Sequence, residues 1–283
     1  MSCPDCFRGS VHEGDPRGKV THAYGLETYV VEPSNGQPPK GIVVLLPDGF
    51  GWEFVNLRLL ADQYADMGGF KVYAPEFMNG RAMPLSTMES MKIVSSPVGI
   101  LTKMQVSPTP CRHLFRVICA MVPFITYNWP SRAWPRVKGF FEQLRKEEGS
   151  SLPVGAAGFC WGGKQVILLA HGDTIDGRPL IDAGFTGHPS LLSIPGDIEK
   201  LKVPVSFAMG DHDAYLSVEQ AENIKKIVEA KEESARGEVV VYPQAGHGFC
   251  VRADHKFAES TRQADEAAEQ CVKWFNAHFG SAS

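Results

Sequence analysis

Cys160 is the residue of this sequence with the clearest potential for chemistry. It lies in Gly158-Phe-Cys-Trp-Gly-Gly163, after a strand-like segment and before a helix-like one. Glycine two positions before and after a nucleophile is typical of the sharp strand-to-helix turn called a nucleophile elbow, where larger side chains would clash. The start of the following helix would favour a thiolate, and the Trp161 N–H would point at an oxyanion. The alternative is that Cys160 is a small, buried apolar residue.

His247 is the best candidate for a general base that acts on this thiol. It lies in Ala245-Gly-His-Gly-Phe249, directly after a predicted strand over 238–242. Its two flanking glycines let the backbone bring the imidazole close to other groups. A thiol and an imidazole held together can perform nucleophilic catalysis. The alternative, a histidine that serves only the structure, more often lies inside a helix or strand.

The acid that would orient His247 is expected in Met209-Gly-Asp211-His-Asp213, after a predicted strand over 203–209. The chain order nucleophile, acid, histidine is that of hydrolases built on a parallel sheet. We predict Asp213, because the turn after the strand usually needs Gly-x-x before the acid, which leaves Asp211 to cap the turn. The reverse assignment remains open. A metal at His212 is not favoured, because no second cluster of ligands accompanies it, and we expect no metal and no cofactor.

A second turn, Pro47-Asp48-Gly49-Phe50-Gly51, follows an early apolar segment. The second N–H of an oxyanion hole would come from this turn, with Gly49 as the candidate and Phe50 as the alternative. Asp48 would then lie near the Cys160 thiol. A neighbouring carboxylate disfavours a thiolate, so Asp48 would keep the thiol protonated until substrate arrives, unless it is a plain turn residue.

The elements that must position these residues alternate between strand-like and helix-like segments, which predicts an α/β fold with a mostly parallel sheet between helices. The predicted strands cover 28–31, 41–46, 70–74, 152–158, 203–209 and 238–242. The predicted helices cover 56–67, 137–148, 164–171, 218–232 and 257–278. Residues 79–134 are rich in Pro, Met and aromatic residues and depart from this alternation. They predict a cap or pocket wall, or else an elaborate surface loop with one extra helix.

Charge and cysteine content limit the partners and the compartment. The net charge is −4 and no run of Lys or Arg stands out, so neither nucleic acid nor an anionic membrane surface is an expected partner. No apolar segment is long enough to cross a membrane, and the first ten residues lack the apolar core of a signal peptide. Seven cysteines, an odd number, argue against a disulfide framework and predict a reducing, cytoplasmic location.

Taken together, these motifs resemble the dienelactone hydrolase (carboxymethylenebutenolidase) family from about residue 25 to residue 278. The resemblance is carried by residues 47–51, 73–77 (Tyr-Ala-Pro-Glu-Phe), 158–163, 187–190 (Gly-His-Pro-Ser), 210–213 and 245–249. It implies an α/β-hydrolase fold in a single domain, 1–283, with residues 1–24 as an N-terminal extension. It also implies a Cys-His-Asp triad of Cys160, His247 and Asp213 that opens small lactones or esters through a thioester.

Near its N-terminus the sequence is similar to the fungal branch of that family, in a pattern made of Cys3, Cys6, Gly9, His12, Gly14 and Pro16. Cys3 and Cys6 within it could suggest zinc or redox chemistry, but no partner pair exists and a structural role is favoured. The family's early-strand carboxylate is matched by Asp48. Its bacterial members bind a substrate carboxylate with two arginines, for which Arg81 and Arg252 are the candidates, although Arg252 departs from the bacterial spacing by one residue.

His188, in Thr186-Gly-His-Pro, is predicted to line the pocket, with a plain turn role as the alternative. The expected partner is a small-molecule lactone or ester, and the assembly of two copies into a homodimer is an open possibility. Two other functions remain as alternatives. One is an acyltransferase or thioesterase with the same triad, and the other is a non-catalytic protein that binds a small molecule.

Overall fold

The computed structural model describes residues 9–95 and 110–280. Its ten strands are β1 (Lys19–Ala23), β2 (Leu26–Val31), β3 (Ile42–Leu46), β4 (Lys71–Pro75), β5 (Val154–Phe159), β6 (Thr174–Ile175), β7 (Arg178–Pro179), β8 (Ala183–Gly187), β9 (Val205–Gly210) and β10 (Glu238–Tyr242). Its nine described helices are α1 (Val55–Gly68), α2 (Ser86–Ser95), α3 (Pro110–Asn128), α4 (Pro130–Lys146), α5 (Trp161–Leu169), α6 (Gly196–Glu199), α7 (Val218–Glu229), α8 (Phe249–Arg252) and α9 (Ala258–Phe279).

Eight of the strands form one sheet in the order β1-β2-β4-β3-β5-β8-β9-β10. The pairs from β4 to β10 are parallel, and only β1 and β2 add antiparallel pairs at one edge. Every residue of β3, β5, β8 and β9 is buried, as expected for central strands covered by helices on both faces. The predicted α/β fold with a mostly parallel central sheet is therefore confirmed.

The register of the sheet aligns the strand ends that precede the candidate site residues. Leu46 pairs with Gly158, Phe159 pairs with Gly187, and Gly187 pairs with Ala208. The turns after β3, β5, β8, β9 and β10 consequently meet at the carboxyl edge of the sheet. This is the edge at which open parallel sheets present their ligand sites.

Each predicted strand and helix is present, with boundaries shifted by a few residues. The largest shift is in α4, which begins at Pro130, seven residues before the predicted start. The sequence does not predict strands β1, β6, β7 and β8. The described part of the predicted extension, 9–24, therefore contributes an edge strand to the main sheet.

The segment 79–134 forms helix in most of its described part, including α2, α3 and the beginning of α4. Residues 96–109 of this segment lie outside the described residues, as do Cys3 and Cys6. Within the described ranges, no helix has the combination of length and apolar character needed to cross a membrane.

Candidate active site

The backbone at Cys160 has the strained conformation of a nucleophile elbow. Cys160 has φ 52° and ψ −109°, a combination that L-residues rarely adopt, and α5 begins at the next residue. A Cβ atom at Gly158 would lie 2.3 Å from the Gly162 carbonyl oxygen, and one at Gly162 would lie 2.1 Å from the Leu46 oxygen. The glycines of this motif are therefore required by the close approach of three backbone segments.

The Cys160 side chain lies in a small polar environment at the edge of the core. The residue is 9% exposed, and its Sγ lies 3.6 Å from the Ser190 Oγ. The backbone of Ser190 donates to the Cys160 carbonyl, which fixes the turn after β8 against the elbow. Ser190 was not singled out from the sequence, because a serine after a Gly-His-Pro turn carries no distinctive spacing.

His247 and Asp213 form a buried pair in which one imidazole nitrogen contacts both carboxylate oxygens. His247 Nδ1 lies 2.9 Å from Oδ2 and 3.1 Å from Oδ1 of Asp213, and the two side chains are at most 2% exposed. The Tyr215 N–H also donates to Oδ1 of this carboxylate, and the Tyr215 ring lies 4.7 Å from the imidazole ring. Asp211 instead accepts from the backbone N–H of Gln244, in keeping with the predicted turn-capping role.

The electrostatics of the site favour a protonated His247. Burial by itself lowers the pKa of this imidazole, but the negative charge of a Cys160 thiolate and the Asp213 carboxylate outweigh it and raise the pKa to about 10. The arrangement can hold a thiolate and an imidazolium as a pair.

Asp48 and Arg252 form a second buried pair beside the thiol. Arg252 Nη1 donates to Asp48 Oδ2, and each side chain is only 1% exposed. Burial raises the pKa of Asp48, the Arg252 charge opposes that increase, and a Cys160 thiolate adds to it. The Arg252 guanidinium also lies 5.3 Å from the centre of the Phe50 ring. Arg252 is thus engaged by the protein, and its predicted contact with a substrate stays a prediction.

The turn after β3 carries the candidate oxyanion donors next to the elbow. The Gly162 N–H donates to the Pro47 carbonyl, which ties this turn to the start of α5. The Phe50 N–H donates to Asp48 Oδ1, so this amide is already used. Among the hydrogen bonds of the described residues, neither the Gly49 nor the Trp161 N–H has an acceptor, which favours these two over Phe50 as donors.

The helical segment forms a wall over this turn. A Cβ at Gly49 would lie 2.3 Å from Met83 Cε and 3.7 Å from Phe124 Cζ, and the Trp161 indole N–H donates to the Asn128 carbonyl at 2.6 Å. The segment therefore packs against the turn after β3, and its role as a cap or pocket wall stays a prediction. Arg81 is exposed and lies 5.2 Å from the centre of the Tyr127 ring, at the outer side of the segment.

His188 is fully buried beside the pair of His247 and Asp213. Its ring centre lies 4.9 Å from that of His247, and its ring nitrogens have no hydrogen-bond partner among the described residues. Burial, together with the charges of His247 and Arg252, lowers the pKa of His188 well below its usual value. These effects favour the neutral form of the His188 imidazole. No group of His, Cys, Asp and Glu in the described ranges is arranged to hold a metal ion.

This geometry is accompanied by likeness to known hydrolases. Residues 120–279 match the model of the dienelactone hydrolase family, and the chain therefore belongs to that family. "Hydrolase pyvD" of Aspergillus violaceofuscus is 25% identical over 276 residues, which cover 96% of this chain and 94% of that protein. "Dienlactone hydrolase 1" of Gibberella moniliformis is 24% identical over 87% of this chain and 82% of its own length.

The fold is shared with solved structures. A dienelactone hydrolase structure from Klebsiella pneumoniae superposes with a TM-score of 0.61 at 20% identity, covering 91% of this chain and 96% of that one. The fold is thus that of the α/β hydrolases, and the protein is a hydrolase that acts on ester-like bonds.

Proposed function

We propose that this protein is a cysteine-dependent hydrolase of small lactones or esters, with Cys160 as nucleophile, His247 as base and acid, and Asp213 as the group that orients His247. The observation that carries the proposal is the buried hydrogen-bonded pair of His247 and Asp213, in which the raised pKa of His247 reflects the nearby Cys160. This pair supports a catalytic triad with sulfur in the place of serine oxygen.

In the first half of the reaction, the Cys160 thiolate attacks the carbonyl carbon of the bound ester. The N–H groups of Gly49 and Trp161 stabilise the oxyanion of the tetrahedral intermediate. The intermediate collapses to a thioester, and the leaving alkoxide or enolate takes a proton from the His247 imidazolium. In a lactone, the leaving oxygen stays attached to the acyl group.

In the second half, neutral His247 removes a proton from a water molecule, which attacks the thioester carbonyl. The second tetrahedral intermediate expels the Cys160 thiolate and leaves the imidazolium next to it, so the starting charges are restored. Asp213 keeps Nδ1 as the hydrogen-bond donor and stabilises the cation. Because a thiolate is a weaker base than an alkoxide, the first tetrahedral intermediate expels the thiolate again and returns to substrate unless its oxygen leaving group is easily expelled. Enol lactones and aryl esters are therefore better substrates than amides.

The Asp48–Arg252 pair has a supporting role in this proposal. An isolated carboxylate next to Cys160 would oppose a thiolate, whereas a carboxylate paired with a guanidinium opposes it less. Asp48 thus tunes the thiol, and Arg252 sets how strongly it does so. His188, which is uncharged, fills the space beside His247 without adding a competing positive charge.

The proposal is tested with Cys160→Ala, assayed on p-nitrophenyl acetate and on a dienelactone. Cys119→Ser is the matched control, since Cys119 is an exposed thiol on α3. We expect hydrolysis to be lost in Cys160→Ala and retained in Cys119→Ser. Unchanged turnover in Cys160→Ala would remove the assignment of the nucleophile. A thiol acceptor that outcompetes water would indicate an acyltransferase with the same triad.

A further inference from the structure

Helix α3 exposes an unusual amount of apolar surface. On one side of this helix, five large apolar residues face solvent, and they are here called the exposed apolar face. They are Leu114 (48% exposed), Phe115 (67%), Ile118 (49%), Val122 (58%) and Ile125 (44%). Their spacing of three, four and seven residues places them on adjoining positions of one helix surface. Trp129, 49% exposed, extends the face at the C-terminal end of α3.

The opposite side of α3 is already used for packing within the protein. Val117 and Asn128 are buried on that side. His113 and Ser90 share a hydrogen bond, and the Phe124 ring lies close to Gly49. A surface helix of a globular protein normally turns its polar side outward. The apolar residues of the exposed face therefore do not serve the protein core, and contiguous apolar surface of this kind marks an interaction site.

The charge of α3 is one-sided. The helix contains no Asp and no Glu but two arginines, although the whole chain carries a net charge of −4. Arg112 and Arg116 are exposed and lie one helical turn apart, next to the exposed apolar face. Tyr127 is half exposed, and the Arg81 guanidinium packs over its ring.

We propose that the exposed apolar face docks on an anionic lipid surface, with α3 lying in the plane of the interface. Apolar and aromatic residues flanked by basic ones are the composition of interfacial helices, and Trp and Tyr favour the headgroup level. Basic residues next to the bilayer add attraction to anionic headgroups. The net charge of the chain predicts no such partner, but α3 itself carries two basic and no acidic side chains.

A second copy of the chain is a less suitable occupant of the exposed apolar face. A twofold dimer uses the same surface on both subunits. Such a contact would bring Arg112 and Arg116 of both copies to one interface, to which α3 contributes no acidic side chain. Lipid phosphates supply the negative charge that this surface lacks.

The experiment measures binding of the full chain to vesicles by co-sedimentation. One set of vesicles contains phosphatidylcholine alone, and the other contains phosphatidylcholine and phosphatidylglycerol in equal parts. We expect binding to the anionic vesicles, weakened by added salt, and much weaker binding to the neutral ones. Replacing Arg112 and Arg116 by Gln should weaken anionic binding by roughly fivefold for each charge removed.

The apolar contribution is tested with the double variant Phe115→Ser/Val122→Ser, which should weaken binding by at least about tenfold. Phe257→Ser is the matched control, because Phe257 is 64% exposed in a different part of the molecule. Hydrolysis of p-nitrophenyl acetate without vesicles checks that each variant is folded. The docking does not depend on the proposed catalysis, and circular dichroism provides the same check if the wild type does not hydrolyse this ester.

Three outcomes would overturn the proposal. The first is the absence of wild-type binding to anionic vesicles, and the second is equal binding to neutral and anionic vesicles. The third is a dimer in sedimentation velocity that Phe115→Ser/Val122→Ser dissociates, without vesicle binding by the wild type. That last result would assign the exposed apolar face to a second copy of the chain.

Discussion

Asp48 and Arg252, which lie 204 positions apart in the chain, form an ion pair in which each side chain is 1% exposed. Asp48 belongs to the turn that offers the Gly49 N–H, and Arg252 ends the short helix α8 that follows His247. The pair thus joins the turn of the proposed oxyanion donor to the loop of the proposed base. The described N-terminal residues support the same loop, since the Ser10 N–H donates to the Arg252 carbonyl.

Breaking this pair should destabilise the protein strongly. Removing one partner of a buried pair leaves an uncompensated charge, which costs about 3–5 kcal/mol. Arg252→Met and Asp48→Asn should each lower the free energy of unfolding by that order, measured by urea denaturation. The double variant should recover part of the loss, because no unpaired charge remains.

The control for this measurement is Arg262→Met, which breaks the surface pairs of Arg262 with Glu259 and Glu266. These side chains are largely exposed and their charges are screened by solvent, so removing the pairs should change the free energy of unfolding very little. Equal effects of Arg252→Met and Arg262→Met would mean that burial of the Asp48–Arg252 pair has no energetic consequence.

The two aspartates after β9 should have different importance for hydrolysis. In Asp213→Asn, the amide cannot hold Nδ1 of His247 as a donor or stabilise its cation, so we expect kcat/KM to fall by roughly 10³- to 10⁴-fold. Asp211→Asn removes only a carboxylate that caps the turn at Gln244, and its kcat/KM should stay within a few-fold of the wild type. The opposite ranking of the two variants would reverse the assignment of the acid.

Stability should depend on pH through His247. Burial lowers the pKa of this residue, but Cys160 and Asp213 raise it to about 10, above the 6.5 of a free imidazole. A raised pKa in the folded state stabilises the protein fully below about pH 6.5, and this contribution is lost as the pH rises through about 10. The wild type should therefore lose stability over this range relative to His247→Gln.

The pH dependence of stability also identifies the residue that raises the pKa of His247. Cys160→Ser removes the thiolate that contributes most to raising the pKa of His247, so its stability should decline at a lower pH than that of the wild type. Urea denaturation at a series of pH values measures both differences. Identical pH dependence in the wild type and in Cys160→Ser would show that no thiolate acts on His247.

The elbow glycines should be intolerant of a single methyl group. A Cβ at Gly162 would lie 2.1 Å from the Leu46 carbonyl oxygen, a backbone atom that cannot move without displacing β3. Gly162→Ala should therefore lower both stability and activity. Gly139→Ala, in the middle of α4 with no atom within 4 Å of the new Cβ, should raise the unfolding free energy by about 0.5–1 kcal/mol. A neutral Gly162→Ala would contradict the close approach of the elbow to β3.

The sequence predicted the site best where the backbone imposes a local pattern. The position of Cys160 was predictable because a strained turn requires glycine at fixed offsets. Beside His247 the requirement is weaker, since Gly248 has φ 96° but a Cβ at Gly246 would meet no atom within 4 Å. The central strand β8, Ala-Gly-Phe-Thr-Gly, was not predicted. Its two small residues and two glycines give no run of large apolar or β-branched residues, which is the usual sign of a buried strand. Strand β1 has an exposed, polar sequence and is held by its pairing with β2.

No comparable pattern in the sequence indicates which distant residues are in contact. Arg252 was interpreted as a substrate ligand, since nothing near it in the sequence indicates that Asp48 binds it. The proximity of Ser190 to Cys160 likewise depends on the crossover between β5 and β8. The outward orientation of the apolar residues in α3 was unpredictable, because their helical spacing is the same whether they face the core or solvent.

The role of Cys160 as nucleophile is tested most directly by the identity of the acylated residue during turnover. The protein is mixed with an aryl ester, quenched in acid within one turnover, digested and examined by mass spectrometry. We expect an acyl group on the peptide that contains Cys160, removed by hydroxylamine as a thioester is, and stabilised when His247→Ala slows the second step. An acyl group on Ser190, or steady hydrolysis with no adduct at Cys160, would contradict it.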